Sequence, residues 1–396
     1  MKGLVLRFLL AILQWRVRKL LQQSGSKVIA ITGSVGKTTC KKVLGEILAG
    51  EFSVHQSPRS FNTPLGLILS CLKIEAAPGK NLRSWVKIFH RAFLQKVTLP
   101  QVLVLEFGAD RPGDIAQLAK IVRPDFAIVT AVAPVHLARG QFTSLAQIAQ
   151  EKMQITKSVR EFALVGDNPL CRKFAHPGKV QFFGPGKCDW RIEFLQSKAD
   201  GFSFALGWES FFVPVFGDFQ VSSFFPAVVL ALHLGVGARA IANTLKNFQL
   251  PPGRGRIFKG VRGSQIIDSS FNASPLAVER SLQALRKMPG ARKICLLGQM
   301  NELGENSSKF HFQAGKQAAK VCDRIFFVGE SWRDFARGAG EHFAGHFANS
   351  SQAGKALKSV LRKGDLLLVK GSRHGINLEK AVAQVLANAG DRGKLV

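Results

Sequence analysis

The sequence predicts an α/β protein with a central domain built on a mostly parallel sheet, followed by a Rossmann-like C-terminal domain. Three observations indicate this class. The β-branched run Val28–Thr32 leads through a glycine-containing turn into a helical stretch. The apolar run Val102–Glu106 ends in a carboxylate before another glycine turn and helix. Beyond residue 265, apolar runs alternate with helical stretches, as in a parallel sheet covered by helices.

Composition limits the possible classes of protein. A chain of 396 residues with 46% hydrophobic content is long enough for two or three domains, since one core rarely grows beyond about 250–300 residues. The six cysteines are scattered without a C-x-x-C pair, which excludes the usual zinc and disulfide frameworks and fits a reducing cytoplasm. The net charge of +29 favours an anionic partner. Since no helix-turn-helix, zinc-finger or RNP pattern accompanies it, no nucleic-acid partner is expected.

Residues 1–26 are predicted to form a basic amphipathic helix. Basic residues interrupt its leucine-rich part: Arg7, Arg16, Arg18 and Lys19. No apolar run of about 20 residues is left to span a membrane. Trp15 favours a helix at the level of lipid headgroups, and Trp85–Phe93 repeats the pattern, which predicts peripheral contact with an anionic membrane. The alternative is that both are ordinary amphipathic helices packed on the protein.

The central domain, predicted over residues 27–250, begins with a phosphate-binding loop. Its residues are Gly33, Ser34, Val35, Gly36, Lys37, Thr38 and Thr39. The glycines let backbone N–H groups approach phosphate oxygens at a helix N-terminus, Lys37 supplies positive charge, and the Thr38 hydroxyl can bind magnesium. Ile31 stands where the longer form of this motif has its first glycine, so only the short form is present. The segment predicts ATP and Mg²⁺ as ligands.

The short loop with its doubled threonine resembles that of the Mur ligases and of their relative folylpolyglutamate synthase. Later segments follow in the family's order from Lys27 to the C-terminus, and their motif residues are most similar to those of the D-alanyl-D-alanine-adding branch. The resemblance implies an ATP-dependent amide-bond ligase of peptidoglycan precursor synthesis, acting on a UDP-linked or lipid-linked muramoyl peptide. Another Mur-type amino-acid ligase and a non-catalytic, membrane-associated nucleotide-binding subunit are the alternatives.

Three further residues carry the predicted metal chemistry. Glu106 ends a strand, where ligands of parallel sheets collect, and is expected to meet magnesium on the nucleotide phosphates. The resemblance implies that His136 helps to bind a second magnesium and that Lys152 is carbamylated into a carboxylate-like ligand. Lys37, His136 and Lys152 form the expected catalytic set. A loop histidine taken alone is more often an ordinary polar residue, and a helix lysine more often faces solvent. A non-catalytic subunit would tolerate loss of the metal ligands, whereas Glu106, His136 and Lys152 are all present, which favours an enzyme.

The C-terminal domain is predicted over residues 251–396, after the turn-rich segment Pro251–Arg256. Arg254 is expected to reach the nucleotide, with an ordinary linker charge as the alternative. The segment 268–275 resembles the family signature Asp-Asp-Ser-Tyr-Asn-Ala-Asn-Pro, which implies that Asp268 and Asn272 contact the nucleotide, Asn272 at the adenine. Three positions depart from that signature: Ser269, Phe271 and Ser274. The chain has no tyrosine, so no phenol hydroxyl is available.

Two later segments are implied to contact the amine substrate and the acyl intermediate. They contain the expected substrate residues Glu302, Lys370, Ser372 and Arg373. The first resembles Gly-Asp-Met-x-Glu-Leu-Gly, with Gln299 in place of the aspartate, and the second matches Lys-Gly-Ser-Arg. Enzymes of this branch carry an N-terminal domain for the UDP group, whereas about thirty residues precede the phosphate loop here. We therefore expect the precursor to be held differently, at the membrane or through a partner.

Overall fold

A computed structural model describes residues 2–57, 61–74, 82–135, 140–198 and 201–395. The helices are α1 (Lys2–Ser24), α2 (Lys37–Leu48), α3 (Pro64–Cys71), α4 (Leu82–Phe93), α5 (Asp114–Ile121), α6 (Leu145–Met153), α7 (Ile155–Ser158), α8 (Pro169–Phe174), α9 (Val221–His233), α10 (Ala238–Lys246), α11 (Pro275–Lys287), α12 (Ser307–Ala319), α13 (Trp332–Ala339), α14 (Ser350–Val360) and α15 (Glu379–Val385). The strands are β1 (Lys27–Thr32), β2 (Val54–Gln56), β3 (Val102–Glu106), β4 (Phe126–Val129), β5 (Ala163–Gly166), β6 (Val180–Gly184), β7 (Trp190–Arg191), β8 (Glu193–Lys198), β9 (Gly201–Leu206), β10 (Glu209–Val213), β11 (Arg256–Lys259), β12 (Gln265–Ser269), β13 (Arg292–Gly298), β14 (Arg324–Val328), β15 (Phe343–Phe347) and β16 (Asp365–Lys370).

The central sheet has the strand order β2-β3-β1-β4-β5-β6-β7, and its neighbours pair in parallel. Strands β1, β3 and β4 are buried along nearly their whole length because helices cover both faces of the sheet. Helices α1, α3, α5 and α6 pack on one face, and α2, α9 and α10 pack on the other. The predicted parallel α/β architecture is confirmed, and the carboxyl ends of β1, β3 and β4 meet at one edge.

A small antiparallel sheet, β8-β9-β10, follows the central sheet and was not predicted from the sequence. Phe204 and Phe211 turn inward from β9 and β10, and Phe204 packs 5.6 Å from the ring of Phe225 on α9. The turn between the two strands exposes Trp208 completely. In β9 and β10 the buried residues do not alternate regularly with the more exposed ones. These strands therefore lack the clear period of two that would have predicted them from the sequence.

The C-terminal sheet has the order β11-β12-β16-β13-β14-β15, with β11 antiparallel to β12 and the other pairs parallel. Helices α11, α12 and α13 cover one face, and α14 and α15 cover the other, as expected for the Rossmann-like prediction. In the register of the sheet Ser269 lies opposite Lys370, so the loops after β12 and β16 lie side by side. The predicted boundary at residue 250 falls between α10 and β11.

Helix α1 packs along the central domain through Leu13, Val17 and Leu20, which are buried against the core that contains α3 and α5. Of the helices in the described ranges, none is both long enough and apolar enough to cross a bilayer. The side of α1 that faces the core therefore packs as in an ordinary amphipathic helix, which was the alternative interpretation of this segment.

Candidate active site at the carboxyl edges of two sheets

The phosphate loop depends on two glycines for its backbone shape. Gly33 and Gly36 have φ angles of 136° and 92°, which side chains disfavour. A Cβ atom at Gly33 would lie 2.2 Å from Oγ1 of Thr130, and one at Gly36 would lie 2.4 Å from Oγ of Ser223. Helix α2 begins at the next residue, Lys37, so its first-turn N–H groups, which have no partner inside the helix, open toward the loop.

Hydrogen bonds to the segment after β4 fix the loop in place. The Ser34 backbone N–H donates to the carbonyl of Ala131 at 2.6 Å, and its hydroxyl donates to the carbonyl of Ala133 at 3.1 Å. The Thr130 hydroxyl donates to the carbonyl of Val35 at 2.6 Å. Thr130 was not predicted as a site residue, although its position directly after β4 at the ligand edge of the sheet was a usable signal.

Two half-buried cations point to a polyanionic ligand. Lys37 Nζ donates to the carbonyl of Gly33 at 2.7 Å, and burial lowers the pKa of its ammonium. The Arg254 guanidinium lies 4.1 Å from the ring centroid of Phe271 and donates to the Thr38 hydroxyl at 3.3 Å. Burial lowers the pKa of Arg254 to about 10. Phosphate groups would offset this desolvation because they restore an opposite charge.

Glu106 lies buried at the end of β3, as predicted, and forms an ion pair with an unpredicted lysine. Lys41 Nζ lies 3.0 Å from Glu106 Oε1 and donates to the carbonyl of Ser57 at 2.7 Å. The ion pair lacks the angles of a hydrogen bond, and Oε1 accepts none from the described residues. Lys41 follows Lys37 by four residues on the same face of α2, which was the missed signal.

The donor atoms at this edge fit magnesium. Glu106 supplies a buried carboxylate oxygen free of hydrogen bonds, and Thr38 supplies a hydroxyl at the start of α2. Within the described ranges, no three His, Cys, Asp or Glu side chains converge as a complete ligand shell. Such a partial oxygen set suits Mg²⁺, which commonly keeps waters and binds phosphate oxygens beside one or two carboxylates. His136, the predicted second ligand, lies outside the described residues.

Lys152 on α6 is buried in the same region of the central domain. Its Nζ donates to the carbonyl of Ala109 at 3.2 Å, and burial lowers its pKa to about 7, with a further contribution from the positive charge of Lys37. The neutral amine is thus accessible near neutral pH. A neutral amine can attack CO₂ and lose a proton to give a carbamate, whereas an ammonium cannot.

The neighbouring Glu151, absent from the predicted site, fixes the position of α6. Its carboxylate accepts hydrogen bonds from the backbone N–H groups of Gly113, at 2.8 Å, and Ile115, at 2.7 Å. These groups belong to the N-terminal end of α5, where a carboxylate is favoured by the helix dipole. Glu151 therefore joins α6 to the loop that follows Glu106, and with it positions Lys152.

On the C-terminal side, Lys370 bridges two predicted segments. Its Nζ donates to the hydroxyl of Ser269 and to the carbonyl of Asn272, both at 3.1 Å. Burial lowers the pKa of Lys370 to about 8, and the charge of Arg254 contributes to the same direction. Serine at position 269, where the resembled signature has aspartate, provides a hydrogen bond but no charge to stabilise the ammonium.

Asp268 and Asn272 are bonded within the loops around β12. The Asp268 Oδ1 accepts from the backbone N–H of Ser270 at 3.1 Å, while burial raises the pKa of this carboxyl. The Asn272 Oδ1 accepts from the N–H of Ala273 at 2.9 Å and from the Ser372 hydroxyl at 3.4 Å. Both side chains lie at the carboxyl edge of the sheet, and their contact with a nucleotide stays a prediction.

Two of the departures from the resembled family segments, Ser274 and Gln299, have clear structural partners. Ser274 is the N-cap of α11 and accepts from the N–H of Ala277 at 3.4 Å, a role that asparagine also fills. The Gln299 side chain holds Ser331 from two sides, because its Nε2 donates to the Ser331 hydroxyl at 2.8 Å and its Oε1 accepts from the Ser331 N–H at 3.0 Å. An aspartate is one methylene shorter and has no N–H to donate, so it could not reproduce both bonds as glutamine makes them.

The predicted substrate residues include both buried and exposed side chains. Ser372 is buried beside Lys370, and its hydroxyl accepts from the backbone N–H of Asn301 at 3.1 Å. Glu302 and Arg373 are exposed on the two loops that this bond connects. Glu302 has a φ of 61°, a left-handed conformation that few non-glycine residues adopt and that is common at ligand sites.

His311 supports the loop of Glu302 from below. It is fully buried, its Nε2 accepts from the backbone N–H of Met300 at 3.0 Å, and its Nδ1 lies 2.8 Å from the carbonyl of Ser307. The second contact requires a proton on Nδ1, so the ring is the neutral Nδ1–H tautomer, consistent with a pKa lowered by burial. His311 thus has a positioning role.

Family comparison matches both parts of the chain. A family model described as the Mur ligase middle domain covers residues 31–231, and one described as the Mur ligase, glutamate ligase domain covers residues 253–373. The first alone spans half of the chain.

Individual relatives extend this match. The UDP-N-acetylmuramoyl-tripeptide--D-alanyl-D-alanine ligase of Bacillus subtilis is 28% identical over 389 residues, covering 95% of this chain and 79% of the relative. The ligase of the same name from Mycobacterium tuberculosis is 30% identical, covering 92% and 74%. The crystal structure of MurF ligase from Thermotoga maritima in complex with ADP superposes with a TM-score of 0.78 at 28% identity, covering 95% of this chain and 83% of that one.

Proposed function

The chain belongs to the Mur ligase family, and we propose that it joins the amine of D-alanyl-D-alanine to the carboxylate of a muramoyl tripeptide at the expense of ATP. One observation carries the proposal. Arg254, from the segment between the two large sheets, donates to Thr38 of the phosphate loop and stacks on Phe271 of the C-terminal domain. A nucleotide bound on the phosphate loop would therefore lie beside the loops proposed to bind the amine.

The proposed reaction has two displacement steps. A carboxylate oxygen of the precursor attacks the γ-phosphorus of ATP, which releases ADP and gives an acyl phosphate. The dipeptide amine then attacks the acyl carbon, phosphate leaves with the bridging oxygen, and the nitrogen loses a proton to give the amide. No protein nucleophile is needed, so the enzyme contributes positioning and charge neutralisation.

The residues of the central domain supply that neutralisation. The N–H groups at the start of α2 and the ammonium of Lys37 would bind the phosphates, with Arg254 beside them. Glu106 and Thr38 are the proposed ligands of Mg²⁺, and bound magnesium would neutralise charge on the phosphates.

A second metal position is proposed on the ground of the family resemblance and the chemistry of Lys152. Burial keeps a fraction of this lysine neutral near pH 7, as carbamylation requires. The resulting carbamate would be a carboxylate-like metal ligand. His136 is the other proposed ligand.

The C-terminal loops carry the proposed amine site. Exposed Glu302 and Arg373 offer one negative and one positive charge, which complement the ammonium and carboxylate ends of a dipeptide. Lys370 and Ser372 would position the acyl group below them, while Asp268 and Asn272 would contact the nucleotide.

The test is phosphate release by the full chain with Mg²⁺, ATP, the UDP-linked muramoyl tripeptide and D-alanyl-D-alanine. We expect release that requires both acceptor and dipeptide, and that falls to background in Lys37→Ala. Lys42→Ala is the matched control, because this lysine on the same helix donates to the carbonyl of Gln249, away from the loop, and should retain activity. Release without the dipeptide, or equal release by Lys37→Ala, would overturn the proposal.

A panel of acceptors then defines the substrate. The UDP-linked peptide is the acceptor named for the relatives, and we propose a lipid-linked form of the same peptide as the second candidate. Turnover of glutamate and a folate in place of these substrates would instead identify another amino-acid ligase of the family.

A further inference from the structure

Helices α1 and α4 lie side by side on the outer surface of the central domain. Arg16 joins them, since its Nε donates to the carbonyl of Ala92 at 2.8 Å and its guanidinium lies 5.8 Å from the ring centroid of Phe93. We call the outward residues of α1 and α4, together with residues 94–96, the two-helix face. The two segments that the sequence treats separately thus form one surface.

The two-helix face concentrates exposed apolar side chains. Among the described residues, eight large hydrophobic side chains are exposed, and five of them are here: Phe8 (66%), Trp15 (56%), Val86 (58%), Phe93 (38%) and Leu94 (77%). Single exposed apolar residues are ordinary on protein surfaces, but a concentration of this kind indicates an interaction surface.

Packing of an amphipathic helix on the core does not explain the exposed aromatic residues on the solvent-facing side of α1. On α1 the buried side chains are Leu13, Val17 and Leu20, which satisfy the core. Phe8 and Trp15 recur at helical spacing on the opposite side, followed by the exposed pair Arg18 and Lys19. The helix is therefore apolar toward the core and both aromatic and cationic toward solvent.

The same face is strongly cationic and contains no acidic residue. Its exposed basic residues are Arg18, Lys19, Arg83, Lys87, Arg91 and Lys96. The sequence has no Asp or Glu in residues 2–24 or 82–105. None of these basic side chains takes part in the ion pairs formed within the described ranges. Their charge is therefore available to an anionic partner.

The positive charge continues into a cavity below the C-terminal end of α1. Its volume is about 530 Å³, and Arg18, Lys120 and Arg123 contribute to its lining. Anionic groups that approach the end of α1 would meet these cations as well as those of the two-helix face.

We propose that the two-helix face is a docking surface for an anionic lipid bilayer. Trp15, Val86 and Leu94 would enter the boundary between headgroups and acyl chains, while the basic residues contact lipid phosphates. A second copy of the chain fits less well, because a symmetric contact would oppose two cationic faces. Nucleic acid would use the charge but would leave the aliphatic side chains in water.

The proposal is tested by sedimentation of the full chain with phosphatidylcholine vesicles that contain phosphatidylglycerol, without ATP or other substrates. We expect binding that weakens with salt and is lost on pure phosphatidylcholine. A blue shift of tryptophan fluorescence should accompany binding and disappear in Trp15→Phe, but remain in Trp208→Phe, whose side chain is exposed on the distant β9–β10 turn.

Charge and apolar contributions are separated by two variants. Each basic residue at such a surface contributes roughly fivefold to partitioning, so Lys19→Gln/Arg83→Gln/Lys87→Gln should weaken binding on the order of 100-fold. Leu94→Ser should weaken it on the order of 10-fold. The matched control with the same change of net charge is Lys309→Gln/Lys320→Gln/Lys355→Gln, on exposed positions of the C-terminal domain, and should bind like the unaltered chain.

Equal loss in the two triple variants would overturn the proposal, because binding would then follow net charge alone. Absence of vesicle binding, or binding without dependence on phosphatidylglycerol and salt, would overturn it as well. Phosphate release and circular dichroism, measured on each variant, verify folding. The vesicle assay needs no substrate. A negative result in it therefore bears on membrane docking alone, and a negative phosphate-release assay bears on the proposed ligase activity alone.

Discussion

The two halves of the proposed active site are built from different interactions. In the central domain, ionisable groups held away from solvent dominate: buried Lys41, Glu106 and Lys152, and half-buried Lys37. In the C-terminal domain, neutral hydrogen bonds dominate, with Lys370 held by a hydroxyl and a carbonyl rather than a carboxylate. A charge can be replaced only at a large electrostatic cost, whereas a neutral hydrogen-bonding group has several substitutes.

This difference explains where the chain departs from the family segments that it resembles. Ser269, Ser274 and Gln299 all lie on the C-terminal side, and each has found a partner for its new side chain. Phe271 lacks the hydroxyl of tyrosine but keeps the ring on which Arg254 stacks. We therefore expect substitutions of central-domain charges to have larger effects than substitutions in the C-terminal loops.

The largest effect is expected for Lys152→Ala, which removes the proposed metal-binding carbamate and should lower kcat on the order of 1000-fold. Acetate or propionate should restore part of the activity by supplying a carboxylate. Because the neutral amine forms above a pKa of about 7, the carbamate signal from ¹³C-bicarbonate in NMR should grow as pH rises through that value.

Lys157→Ala is the control for that experiment, since this lysine is exposed on the following helix. It should leave both kcat and the carbamate signal unchanged. Full activity of Lys152→Ala, or a signal that persists in it, would refute the role of Lys152.

A smaller effect is expected for Arg254→Lys, at the contact between the two domains. Lysine keeps the charge but loses the stacking on Phe271 and the guanidinium bond to Thr38. A loss of about 2 kcal/mol corresponds to roughly a 30-fold fall in kcat/KM for ATP. Arg256→Lys is the control. This is the next arginine along the chain, it donates to the carbonyl of Lys394, and its substitution should change the value less than about threefold. An unaltered kcat/KM for ATP in Arg254→Lys would contradict this placement.

Ser269→Asp converts a neutral contact of the C-terminal side into a charged one. A carboxylate beside Lys370 stabilises its ammonium, so the pKa of Lys370 should rise by about one unit from its value of about 8. A limb of the pH–rate profile that reflects loss of this proton should move to higher pH by the same amount. Ser359→Asp, on the exposed end of α14, should not move it. An unmoved limb in Ser269→Asp would show that Lys370 does not govern it.

The smallest effect is expected for Gln299→Asp, which returns the residue of the resembled signature. The carboxylate is one methylene shorter and has no N–H to donate, so the contact with the Ser331 hydroxyl is weakened, which should lower Tm by about 2–4 °C with little change in kcat. Ser331→Ala combined with Gln299→Asp should cost less than the sum of the single changes, because both remove the same bond. Additive shifts would contradict this pairing.

The features that could be predicted from the sequence are those that depend on a few consecutive residues. The run Val102–Glu106 reads as a buried parallel strand because helices cover both its faces, and Gly33 and Gly36 mark the loop because only glycine fits there. The pair of Lys41 and Glu106 was missed because it joins residues distant in sequence. Glu151 was missed for the same reason, since its partners lie at the start of α5. The antiparallel sheet around Phe204 lacked regular alternation.

The most direct test of the central claim follows an oxygen atom. The muramoyl tripeptide is labelled with ¹⁸O in its reacting carboxylate and turned over with ATP and D-alanyl-D-alanine, and the released phosphate is analysed by mass spectrometry. An acyl phosphate transfers one carboxylate oxygen to phosphorus, so each released phosphate is expected to carry one ¹⁸O. Phosphate without ¹⁸O, released while the amide product forms, would contradict it.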